Sequence, residues 1–344
     1  MKLLFLYFIS VLCLISFTGC KPTATKAETG ERQRTDSLMQ LLNSPDLKAV
    51  NQKILDDPSN AALYNERANL YLTLKQFEEA IYDAKRAIRI DSSNAANYLT
   101  EADIFFAANE TRNAKETLEK VVKKFPRNTE GLLKLGELFY FVKQYENAFD
   151  CINKALKIDQ NLAKAYYLKG SIYKETGDTA KAISSLETAI DQDNKNYGAF
   201  LDMGIIYGAR KNTIALEYYD NAIRIKPTTE ALYAKAKLLQ DLNKMDNALA
   251  LYEQIIKNDS THGFSLYNLG AIYLQKKELD KALNYFTKAI NANPKYAEAY
   301  FARGVCYEEL KDKNNAYADY TMCLQLKPNY EPAVDALNAL GKIK

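Results

Sequence analysis

Few residues of this chain are placed to make or break bonds. The one histidine, His262, stands in a polar turn with no nucleophile spaced to use it as a base, and it is read as structural. Asp191 and Asp193 alternate as the first carboxylates of a calcium loop would. Asn196 stands where that loop needs glycine and Asp202 where a bidentate glutamate should close it, so an ordinary turn is expected. There is no dinucleotide fingerprint, phosphate loop or serine elbow. Cys151, Cys306 and Cys323 lack metal-ligand spacing and are expected to be small core residues without disulfides. The formal charge is +3, and the basic patch Lys120, Lys123, Lys124 and Arg127 is short and mixed with Glu, which argues against a nucleic-acid partner. The expectation is a non-enzymatic protein with no cofactor and no metal.

Recognition chemistry remains, carried by 25 Tyr and 14 Phe with no Trp, and the spacing of those rings shows what must position them. Ala recurs at 80, 114, 148, 182, 215, 248, 282 and 316, in steps of 33 or 34. Eleven or twelve residues earlier stand Ala68, Ala102, Gly136, Gly170, Gly204, Ala236, Gly270 and Gly304. Three residues after these come Tyr71, Phe105, Phe139, Tyr173, Tyr207, Leu239, Tyr273 and Tyr307. Each unit holds two runs with helical spacing separated by a polar break such as KQFEE or KKELD, so each is a helix hairpin. Such a hairpin cannot bury its apolar faces alone and must stack on its neighbour. Gly and Ala belong where two helix backbones approach closely, and Pro126, Pro227, Pro294 and Pro328 stop the second helix.

The order small residue, ring, Ala, ring, Ala, Pro at a period near 34 resembles the tetratricopeptide repeat. The resemblance covers residues 61–330, in eight units beginning at Ala61, Ala95, Thr129, Ala163, Tyr197, Thr229, Gly263 and Ala297. It implies an all-α, right-handed superhelical solenoid of about eight hairpins, with short capping helices over residues 36–60 and 331–344. The family lines a concave groove with the first helix of each unit, and its fifth place here is Asn65, Leu99, Leu133, Tyr167, Leu201, Tyr233, Tyr267 and Phe301. The twelfth place adds Phe106, Tyr140 and Leu274. Over six groove places of all units there are eleven acids and four bases, with Glu298, Glu308 and Glu309 clustered beside Phe301. A partner segment presenting Lys or Arg next to apolar side chains is therefore expected. The family's carboxylate clamp is incomplete: Asn65 and Asn69 fill two of its places, but the required Lys and Arg do not follow.

The first residues are a different material. One Lys precedes an apolar run over residues 3–17, the length of a signal-peptide core and short for a membrane span. Phe17, Thr18, Gly19 and Cys20 resemble a bacterial lipobox, which implies a signal peptide over residues 1–19, lipidation of Cys20 and a polar tether over residues 20–35. Lys21 after that cysteine favours the outer membrane, facing the periplasm. The leading expectation is a lipid-anchored adaptor of the bacterial envelope that binds proteins or peptides. An outer-membrane glycan-binding lipoprotein, or a subunit of a secretion, motility or envelope-assembly complex, stands as the alternative; the absence of Trp speaks against the glycan reading.

Overall fold

The computed structural model describes residues 44–342, and among them every regular element is an α-helix. The expected signal peptide, Cys20, the tether and the first part of the N-terminal cap lie outside the described residues. The chain divides into two compact units, one ending at Thr117 and the other beginning at Leu118.

The first unit holds α1 (Pro45–Asp56), α2 (Ala61–Thr73), α3 (Phe77–Ile90), α4 (Ala95–Ala107) and the start of α5 (Thr111–Lys124). Ser44 caps α1 by accepting from the Leu47 N–H, and Leu47, Val50 and Ile54 bury its inner face against Tyr64 and Ala87. Arg67 donates to both carboxylate oxygens of buried Asp83 at 2.6 and 2.8 Å and to Asn51 at 2.7 Å, tying α1, α2 and α3 together.

The second unit continues through α6 (Thr129–Phe141), α7 (Tyr145–Ile158), α8 (Ala163–Thr176), α9 (Thr179–Gln192), α10 (Tyr197–Gly208) and α11 (Ile214–Ile225). It then adds α12 (Thr229–Asp241), α13 (Met245–Asn258), α14 (Gly263–Gln275), α15 (Leu279–Ala292), α16 (Ala297–Glu309), α17 (Lys313–Leu326) and the unpaired α18 (Glu331–Lys342). Within each unit, consecutive helices pair as hairpins and each hairpin packs on the next.

The periodic residues have separate physical duties. A Cβ on Gly204 would lie 2.5 Å from the Tyr219 ring, on Gly270 2.7 Å from Phe286, and on Gly304 2.6 Å from Tyr320. The missing side chain lets the ring of the second helix lie against the first helix's backbone. The periodic Ala residues from Ala80 to Ala316 are fully buried in their hairpins. The break between paired helices closes with a left-handed residue: Lys75, Asn109, Lys143, Lys211, Asn243, Lys277 and Lys311 all have φ between 52° and 61°. The N–H after each reaches back to the carbonyl five residues earlier, as in Gln76 to Tyr71 (2.9 Å) and Glu278 to Tyr273 (2.9 Å).

Linkers between hairpins repeat a second device. An Asp or Asn just past the helix accepts from the N–H two residues on, and Asn60, Asn94, Asn128 and Asn196 then cap the next helix. Asp193 takes part in this turn, accepting from the Lys195 N–H at 2.9 Å, while Asp191 lies within α9. Among the described residues no group of three or more His, Cys, Asp and Glu could hold a metal ion. Cys151, Cys306 and Cys323 are buried and free, and burial pushes the Cys151 thiol up to about 11 and Cys306 up to about 12.

Candidate functional site

The first helices of the hairpins do not present their fifth places alike. Leu99, in the first unit, and Leu133 and Leu201, in the second, are only 5% exposed and act as core. Tyr167, Tyr233, Tyr267 and Phe301 are half-buried, as is Tyr140 at a twelfth place, so these rings keep area for a partner. A leucine is short enough to be swallowed by its own hairpin. A tyrosine at the same place projects past it.

Residues 129–225 form a section of phenols and ion-paired carboxylates. Lys143 lies 3.2 Å from Glu175, whose carboxyl is held below the usual carboxylate range chiefly by the Lys143 bond and further by the nearby Tyr145 and Tyr140 phenols. Burial, reinforced by Glu175, pushes Tyr140 up to about 12. Lys164 pairs with Glu137 at 2.7 Å. Asp202, 6% exposed on α10, takes Lys174 as an ion-pair partner and the Ser171 hydroxyl at 3.2 Å, both from α8. Each of these contacts joins one hairpin to the next, so the polar groups that face a groove also fasten the stack.

Residues 229–330 form a section of ring on ring. Tyr233 meets His262 edge-on at 5.6 Å and Phe264 at 6.3 Å. Phe264 meets Tyr296 edge-on at 5.6 Å, and Tyr296 meets Tyr267 at 5.1 Å. The Asn268 amide donates to the Tyr233 oxygen at 3.1 Å. His262 caps α14, its Nδ1 accepting from the Ser265 N–H at 3.3 Å, which makes it a helix cap and a wall of the strip. Phe264 is 58% exposed, although its edges are set by three neighbouring rings. Burial above all, then the nearby phenols and the Glu298 carboxylate, raise Tyr267 and Tyr296, so both stay neutral hydrogen-bonding groups.

The predicted acids at the end of this section are engaged. Glu298 accepts from Lys327 at 2.8 Å, Glu309 from Lys277 at 2.9 Å, and Glu308 from the Tyr320 hydroxyl at 2.6 Å. Lys53, Lys143, Lys277 and Lys327 stand outside the groove places yet pair with groove acids, which cuts the acidic excess of seven to three. Phe264, His262, Tyr296 and Tyr330 were absent from the expected set because they occupy second places or linkers. Aromatic residues at the end of two successive linkers, Tyr296 and Tyr330, are the signal in the sequence that marks them.

Comparison with known proteins agrees with this geometry. Models described as tetratricopeptide repeat match residues 61–94, 99–163, 163–196, 205–263, 264–296 and 285–318. A 112-residue stretch is 28% identical to the human Superkiller complex protein 3, covering 32% of this chain and 7% of that one. Among solved structures, the C-terminal part of a TPR repeat-containing protein from Cytophaga hutchinsonii aligns over 69% of this chain and 98% of its own, at 19% identity and a TM-score of 0.55. PilF of Pseudomonas aeruginosa aligns over 59% of this chain and 93% of its own, at 21% identity and a TM-score of 0.51. At such identities the two structures share the fold with this chain.

Proposed function

This chain belongs to the tetratricopeptide repeat family, whose fold serves protein–protein interaction, and we propose that it is a non-enzymatic adaptor holding basic and apolar segments of other proteins. The observation that carries this reading is the ring strip from Tyr233 through His262, Phe264 and Tyr296 to Tyr267. Rings whose edges are fixed by neighbours lose little freedom on binding, and a half-exposed aromatic in such a frame is the kind of residue on which binding energy concentrates. Bound segments would lie along the first helices and place apolar side chains against Phe264 and Tyr267.

The same proposal includes an anchor. The apolar run over residues 3–17 and the sequence Gly19-Cys20-Lys21 support lipidation at Cys20 and residence at the outer membrane, with acyl chains holding the protein by buried methylenes. Crosslinking in intact cells, read by mass spectrometry, tests the adaptor: partners captured by the wild type should be lost from a Phe264→Ser, Tyr296→Ser variant. Undiminished capture of every partner would reject the strip as the binding surface. Membrane fractionation of Cys20→Ala tests the anchor, which predicts release into the soluble fraction.

A further inference from the structure

A lysine of the protein itself sits where a partner's cation would be recognised. Glu298 and Phe301 lie three residues apart on α16, and Lys327 and Tyr330 belong to the short linker between α17 and α18. The Lys327 ammonium is 2.8 Å from Glu298 Oε1 and 4.9 Å above the Tyr330 ring. Tyr330 meets Phe301 edge-on at 5.3 Å, and Phe301 meets Tyr320 at 5.5 Å. A carboxylate beside an aromatic face is the recognition chemistry of an alkylammonium ion.

Two observations make the present occupant replaceable. Lys327 is half-exposed, its side chain 51% accessible, and an exposed pair of this kind contributes little. The surroundings are also more acidic than one lysine can balance. A cavity of about 510 Å³ beside the linker is lined by Pro328, Asn329, Val334 and the carboxylates Glu331 and Asp335. That cavity has room for the residues flanking an inserted side chain.

We infer that this subsite takes the lysine side chain of an extended basic segment, and that Lys327 occupies it until the partner's ammonium replaces its own. The inference rests on the adaptor reading and names one cation subsite within it. The acidic surplus commits the occupant to a peptide cation rather than an anion or a neutral glycan.

The test uses the full chain and a fluorescein-labelled hexapeptide of alternating Leu and Lys, titrated by anisotropy at low salt. Lys327→Gln should tighten binding about two- to fivefold, the reverse of what losing an exposed ion pair costs. Glu298→Gln should weaken it about fivefold or more. Lys295→Gln, a charge change in the preceding linker whose ammonium makes no ion pair, should move affinity by less than about twofold. Equal melting midpoints establish that all variants fold. An equal gain from Lys295→Gln would mean a diffuse charge effect and overturn the inference. Binding that ignores Lys327 and Glu298 would place the peptide elsewhere, overturning the subsite while the adaptor reading stands. A peptide that binds no variant overturns the subsite as well, and the crosslinking experiment then judges the adaptor reading independently.

Discussion

Residues 129–225 and 229–330 are built from the same hairpins and present different chemistry at the same places. In the first section the fifth places are Leu133, Tyr167 and Leu201, two of them buried, and the polar neighbours are joined in ion pairs such as Lys143 with Glu175. In the second they are Tyr233, Tyr267 and Phe301, each half-buried and each touching further rings. The difference separates two duties that one helix performs. Places facing the paired helix keep their size because backbone distance depends on them. Places facing outward vary, and their variation sets what can bind.

The shared frame can be broken first. A Cβ would stand 2.5 Å from Tyr219 at Gly204 and 2.7 Å from Phe286 at Gly270, so Gly204→Ala and Gly270→Ala should each destabilise by about 1–3 kcal/mol. Unequal losses in thermal melts would show that the sections do not share one frame. Gly263→Ala supplies the contrast: its nearest neighbour would be 3.9 Å away, and no loss is expected.

Hydrogen bonding separates the sections next. Tyr320 donates to the Glu308 carboxylate, whereas burial alone raises Tyr219. Tyr320→Phe should therefore cost about 1.5–3 kcal/mol, and Tyr219→Phe clearly less, measured by denaturant unfolding.

Alkaline pH probes the first section through its phenols. Burial pushes Tyr219 up to about 12, and burial with Glu175 does the same to Tyr140. A folded-state value above the ordinary tyrosine value of about 10 means that the associated stability is intact below pH ~10 and disappears as pH rises towards ~12. Melting midpoints should hold from pH 7 to 9 and fall between about 10 and 12. Tyr140→Phe should flatten that fall.

The smallest effect tests the turns. Lys211 and Lys143 both have positive φ, at 52° and 60°, but Lys143 also pairs with Glu175. Lys211→Gly should stabilise by about 0.5 kcal/mol, relieving left-handed strain, while Lys143→Gly gains less because the ion pair is lost. Equal gains would mean that the Lys143 pair contributes nothing to the stack.

The hairpins were legible because their signals are local and repeated. Gly270, Tyr273, Ala282 and Phe286 follow a spacing that only paired helices satisfy, and Pro294 marks where the second helix has ended. The lysine partners of the groove acids were not legible, because Lys143 meets Glu175 and Lys277 meets Glu309 only after one hairpin lies on the next. The burial of Leu133 was hidden for a similar reason, since a groove place and a core place look alike until side-chain length is set against the actual helix separation.

Sequence alone determined that the described chain is a series of helix pairs, because backbone hydrogen bonding and apolar periodicity act over a few residues and recur every 33 or 34. Tertiary structure decided which outward side chains become a surface. The meeting of Tyr233, Phe264 and Tyr296, and of Lys327 with Glu298, depends on distances between residues about 30 apart, and those distances are fixed only by how each hairpin packs on its successor.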